Sequence, residues 1–140
     1  MIDNRTAPYA AFILRMSLGV MFIAHAMLKL LVFTLPGTVQ FFQSVGYPGF
    51  LAYIVIAAEL MGGTLLVLGA YTRWVALALI PILLGAALVH APNGWVFSAP
   101  NGGWEYPVFL ALAALVQALL GDGAMALRAA SAGVARRQPA

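Results

Sequence analysis

The chain of 140 residues contains no cysteine. That excludes disulfides, thiolate nucleophiles, zinc–thiolate and iron–sulfur sites, and any dithiol relay. Electrons handled by this protein must therefore reside on something bound to it. Charge is nearly as scarce. Four acidic and seven basic side chains make 8% of the residues, against about 25% in soluble domains. So few charges cannot coat a soluble globule, and disorder is excluded for the same reason, since 64% of the residues are hydrophobic. The net charge of +3 is too thinly spread for a nucleic-acid footprint. What remains is an integral membrane protein.

Four apolar spans are expected, at about Pro8–Phe33, Gly49–Gly69, Thr72–Ala91 and Trp104–Gly121. A helix needs roughly 20 apolar residues to cross a hydrocarbon core about 30 Å thick. Turn signals divide the spans: Pro36-Gly37 and Tyr47-Pro48-Gly49, the segment Gly69 to Arg73, and the run from Pro92-Asn93-Gly94 to Pro100-Asn101-Gly102-Gly103. Pro81 should kink the third span, which membrane helices tolerate, and Pro107 falls harmlessly in the first turn of the fourth. Ala24-His25-Ala26 resembles a signal-peptide cleavage site, but Arg15 interrupts the apolar core and the stretch is too long, so cleavage is not expected.

The fold class predicted is therefore an all-α integral membrane protein, a four-transmembrane-helix bundle. Residues 1–123 form the membrane domain and 124–140 a flexible cytoplasmic tail. Arg5, Arg73, Arg128, Arg136 and Arg137 share one side and only Lys29 falls toward the other, so both termini face the cytoplasm. Tyr71 and Trp74 suit the inner aromatic belt; Trp95, Trp104 and Tyr106 suit the outer one. A short helix within residues 39–46 is expected to lie on the outer surface or to fold back.

Ionisable groups inside membrane spans are costly and usually mark function. At 1.5 Å per residue, Glu59 lies near the midplane and Arg15 about 8 Å to the inner side. His25 lies about 7 Å outward, and Lys29, His90 and Glu105 about 11–14 Å outward. Arg15, Leu18, Phe22, His25 and Lys29 occupy one helical arc of about 80°. Gly62 and Gly63 beside Glu59 allow close helix approach, so that face should look inward. Glu59 reads either as a buried structural partner of Arg15 or as a proton-handling carboxylate. His25 and His90 read as satisfied helix-end histidines, as hydrogen-bond partners of a redox ligand, or as a haem ligand pair, for which their spacing gives no diagnostic. Lys29 alone could snorkel, and Glu105 alone could cap a helix. Their expected convergence with His90 at one depth suggests a site. The order Arg–His–Glu also occurs twice, as Arg15–His25–Glu59 and Arg73–His90–Glu105, each across one hairpin.

The strings RMSLGVMFIAHAMLKL (15–30), FFQSVGYP (41–48), AELMGGTLLVLGAYTR (58–73), VHAPNGW (89–95) and GGWEYP (102–107), in this order, resemble the DoxX family of small four-helix membrane proteins over about residues 10–123. Ala26 stands where that family commonly has glycine. The resemblance implies partnership with redox systems; relatives include a membrane subunit of a thiosulfate:quinone oxidoreductase, and others are linked to quinone stress or to antioxidant complexes. It marks Arg15, His25, Lys29, Glu59, His90 and Glu105 as the polar family positions without assigning their roles.

The functional expectation is a subunit of a quinone-linked redox system in the bacterial cytoplasmic (inner) membrane, uncertain as an enzyme in its own right. Glu59 and Glu105 would pass protons as catalytic residues. Arg15, His25, Lys29 and His90 would bind the quinone cofactor; haem and metal are not expected. Expected partners are membrane lipid and a soluble redox enzyme or sister subunit, with self-association possible and no nucleic acid. Alternatives are a noncatalytic anchor for a soluble redox enzyme and a small-solute transporter.

Overall fold

The structure, a computed structural model, describes residues 3–127. These are helical and contain no strand. Helix α1 spans Ala7–Met27 and runs into a π-helical turn, Leu28–Val32; α2 spans Leu35–Ser44, α3 Phe50–Leu68, α4 Thr72–His90 and α5 Glu105–Leu120, with a single 3-10 turn at Ala91–Asn93.

Three of these segments, Ala7–Val32, Phe50–Leu68 and Thr72–Asn93, are long and apolar enough among the described residues to cross a membrane. The fourth expected span is apolar but shorter, the 16 residues of α5, or about 24 Å of helix. The exteriors are lipid-like: Leu31 is 71% exposed, Phe109 67% and Leu119 73%. In a water-soluble chain such surfaces would drive aggregation.

Helix boundaries follow local chemistry. Pro8 sits in the first turn of α1, where its missing N–H has no cost. Gly69 ends α3 in the left-handed region (φ 70°), and the N–H groups of Gly69 and Ala70 donate to Leu66 O and Leu65 O. The short helix begins earlier than its expected start at residue 39, because Pro36 and Gly37 form its first turn instead of a loop. Thr34 Oγ1 accepts from the Gly37 N–H at 3.3 Å and thereby caps it. Helix α4 continues through Pro81 without interruption.

Packing is dominated by α1 against α3 and α4 against α5; α3 against α4 and α1 against α5 close the bundle. The core is built from Leu18, Phe22, Leu66, Leu79, Leu83 and small alanines of α4 and α5. At the α1–α3 crossing a Cβ on Gly19 would lie 2.8 Å from Gly63 O, and one on Gly63 2.8 Å from Gly19 O. Both backbones touch there because neither has a side chain, the close approach expected of the Gly62-Gly63 pair. Gly62 faces α4, where its Cβ would press on Leu79.

After α5 the chain turns back onto α1. Ala124 N–H donates to Pro8 O at 2.8 Å, and Ala126 is 3% exposed. The expected tail from residue 124 therefore starts with a docked segment; its remainder, with Arg128, Arg136 and Arg137, lies outside the described residues.

Candidate functional site

The six polar positions separate into three places. At one end of the bundle, Arg15 is completely buried. Its Nη1 donates to Leu66 O (2.9 Å) and Val67 O (3.0 Å), its Nη2 to Ala124 O (3.1 Å), and its guanidinium carbon lies 5.4 Å from the Phe12 ring centroid. A cation thus closes the last turn of α3, where carbonyls lack helical partners and the dipole is negative. Its electrostatic neighbour is Asp122. The expected Arg15–Glu59 pair does not form. Seven residues of α3 separate Glu59 from Leu66, about 10 Å along the axis, and the nearer α3 carbonyls take the guanidinium.

Glu59 pairs with Lys29 instead. Lys29 Nζ donates to both carboxylate oxygens at 2.8 Å, with side-chain exposures of 19% and 6%. It is the only ion pair among the described residues. The π-helical turn carries Lys29: one extra residue per turn frees backbone groups, and the Lys29 carbonyl accepts from Thr38 Oγ1 at 3.0 Å. Thr38 also donates to Thr34 O and is 3% exposed, so the lysine is held from α2 as well.

His25 is the second electrostatic neighbour of Glu59. Its Nδ1–H donates to Met21 O at 2.8 Å. A carbonyl can only accept, so Nδ1 carries a proton, and in the neutral ring Nε2 is then the free acceptor. The ring stacks on Tyr106 of α5, centroids 6.2 Å apart and planes at 24°. Tyr106 carries no signal of this role in the sequence, where its place beside Trp104 reads as an interfacial ring.

Tyr106 also lines a groove of about 350 Å³ with Trp95, Phe97, Glu105, Val108, Phe109 and Leu112. Groove, Tyr106, His25, Glu59 and Lys29 therefore follow one another in space.

His90 and Glu105 lie at the 94–104 loop and do not join Lys29. His90 Nδ1–H donates to Asn101 O at 3.0 Å, and Glu105 Oε1 accepts from the Phe97 N–H at 3.0 Å. Asn93 Nδ2 donates to Asn101 O and Gly102 O, and Trp95 meets Trp104 edge-on at 4.4 Å. A loop rich in Gly, Pro and Asn has no ladder to hold its polar backbone, and these side chains supply the partners. The expected convergence of Lys29, His90 and Glu105 fails because Lys29 bends back toward α3. Only Glu105 keeps a place on the groove. Among the described residues no cluster of three or more His, Asp or Glu could hold a metal.

The two Arg–His–Glu sets share one feature. Arg73 Nε donates to Ala118 O at 3.0 Å, so each arginine binds carbonyls in the last turn of the helix that its own helix packs against. The histidines and glutamates differ in their partners.

The chain matches the DoxX family model over residues 10–92. It is 34% identical over 125 residues to a Bacillus subtilis (strain 168) protein named "Putative oxidoreductase CatD"; the match covers 89% of this chain and 88% of that protein. No solved structure matches.

Proposed function

The chain belongs to the DoxX family, and from that premise we propose that it is a membrane subunit of a quinone-linked redox system. The observation that carries this reading is the buried Lys29–Glu59 pair, joined through His25 and Tyr106 to an apolar groove. In the proposed topology α1, α3, α4 and α5 all cross the bacterial inner membrane, with both termini in the cytoplasm.

The residues present fit a quinone. Its carbonyl oxygens need donors, and its reduced form needs an acceptor. Tyr106 O–H donates, and so does the third Nζ–H of Lys29, two being directed to Glu59. His25 Nε2 accepts. When bound, the quinone supplies reversible uptake of two electrons and two protons. The chain's own part is to hold and move those protons. Glu59 carries one at its carboxylate, and Lys29 sets how readily it does so by moving toward or away. His25 conveys a proton at Nε2, and the aromatic groove keeps water out while admitting a prenyl tail.

Extraction of the protein purified in mild detergent tests this. Copurified quinone and a higher melting temperature on adding quinone are expected. Absence of both overturns the reading. Glu59→Gln should abolish quinone-dependent turnover of whole membranes while the protein remains inserted.

A second reading, the noncatalytic anchor, draws support from the pairing: Arg15, Lys29, Glu59, His90 and Glu105 each have a protein partner. On that reading Lys29→Met with Glu59→Leu restores both stability and cellular function.

A further inference from the structure

The arginine end of the bundle carries a second pocket, separate from the groove. It encloses about 210 Å³ between the start of α4 and the end of α5, lined by Tyr71, Arg73, Trp74, Gly121 and Asp122. The bond from Arg73 Nε to Ala118 O fixes the base of the guanidinium, whose two Nη groups carry four further N–H donors. Asp122 shares the pocket, yet among the described residues no ion pair joins it to Arg73. Trp74 is 67% exposed, an amphipathic ring of the type that settles at headgroup level.

Arg73 and Asp122 share a small pocket with no ion pair between them, although Asp122 also faces the buried Arg15, and such a pocket suits a ligand carrying both signs. We propose that this pocket binds a phospholipid with a primary-ammonium headgroup, of the phosphatidylethanolamine type. The phosphate lies on the Arg73 Nη groups, the ammonium donates to the Asp122 carboxylate, and the acyl chains run along Trp74. Arginine suits the phosphate because its planar fork can meet two oxygens at once. Asp122 opposes a headgroup of net negative charge such as phosphatidylglycerol. A choline headgroup keeps the positive charge but has no N–H to give a carboxylate. The site does not depend on the redox reading, since it shares no residue with the groove or with the Lys29–Glu59 pair.

The test is native mass spectrometry of the full chain released from detergent containing equimolar phosphatidylethanolamine, phosphatidylglycerol and phosphatidylcholine. The ethanolamine lipid should be retained about fivefold over each of the others, the weight of one charged contact at a lipid surface. Asp122→Asn should remove that preference in favour of phosphatidylglycerol, and Arg73→Lys should weaken retention of all three. Equal retention, or preference for phosphatidylglycerol in the unaltered chain, overturns the proposal; this comparison decides even if a variant does not insert. The latter result would mean that Asp122 is neutralised by Arg15, leaving an anion site.

Discussion

Lys29 and Glu59 are the residues whose loss should be felt most sharply. Removing one partner leaves the other charge buried and unpaired, at about 3–5 kcal/mol. Lys29→Met should therefore lower the melting temperature in detergent markedly, and adding Glu59→Leu should restore most of it, because an apolar pair of similar volume needs no counter-charge. Thermal melts of the two single variants and the double variant read this directly. If the double variant is no more stable than Lys29→Met, the pair is not what the stability depends on. Arg15 behaves differently, because its partners are carbonyls. Gly69→Ala probes that cap from the other side. A left-handed conformation costs an L-residue roughly 1–2 kcal/mol, and here the new Cβ would also run into the Arg15 guanidinium. Gly69→Ala should then destabilise by more than the backbone term alone, and Arg15→Met with Gly69→Ala should be less than additive.

Among the elements, the α1–α3 crossing and the π-helical turn decide where the polar groups go. Gly19→Val pushes a branched side chain into Gly63 O and Val67. Overpacking of that kind costs about 1–3 kcal/mol and should also separate Lys29 from Glu59, since the turn that carries Lys29 continues directly from α1 and Glu59 lies on α3. Loss of quinone response together with stability in Gly19→Val, against loss of stability alone in a distant core variant such as Leu83→Ala, would tie the crossing to the site. The turn at 28–32 acts through Thr38. Thr38→Val leaves the Lys29 carbonyl unmatched, a cost of about 1–3 kcal/mol for a buried acceptor, and should raise the amide exchange of residues 28–33 above that of the rest of α1.

For the whole molecule the decisive property is topology. The absence of cysteine makes a clean background for single-cysteine labelling. Ala70→Cys, in the turn beside Arg73, should be labelled by an impermeant maleimide only after the inner face is opened, and Ser98→Cys, in the 94–104 loop, from intact spheroplasts. Met125→Cys, beyond α5 and exposed, should behave as Ala70→Cys does, and labelling of Ser98→Cys and Met125→Cys from one side would contradict α5 as a crossing helix. Helix α5 is the element for which this matters, because its 16 residues are the shortest of the four expected spans.

Composition and apolar run length alone determined that the chain is helical and made for lipid, and turn chemistry placed the ends of the four expected spans, though not the start of the short helix, within a residue or two. In hydrocarbon a single apolar segment of this length pairs its backbone groups within itself only as a helix, so local sequence is sufficient. The inward arc of α1 was legible as well: Arg15, Leu18 and Phe22 are buried as their phase requires. Partner choice was not. By sequence Glu59 reads as a partner of Arg15, and only the packed crossing, with the π-helical turn carrying Lys29 back and the end of α3 capturing Arg15, assigned it to Lys29. Depth counted along separate straight helices also brought His90 and Glu105 toward Lys29, whereas the fold of the 94–104 loop engaged both. Tyr106 entered the site only through the contact of α5 with α1. Such pairings depend on distances of a few ångströms between elements remote in sequence, which no periodicity within one element records.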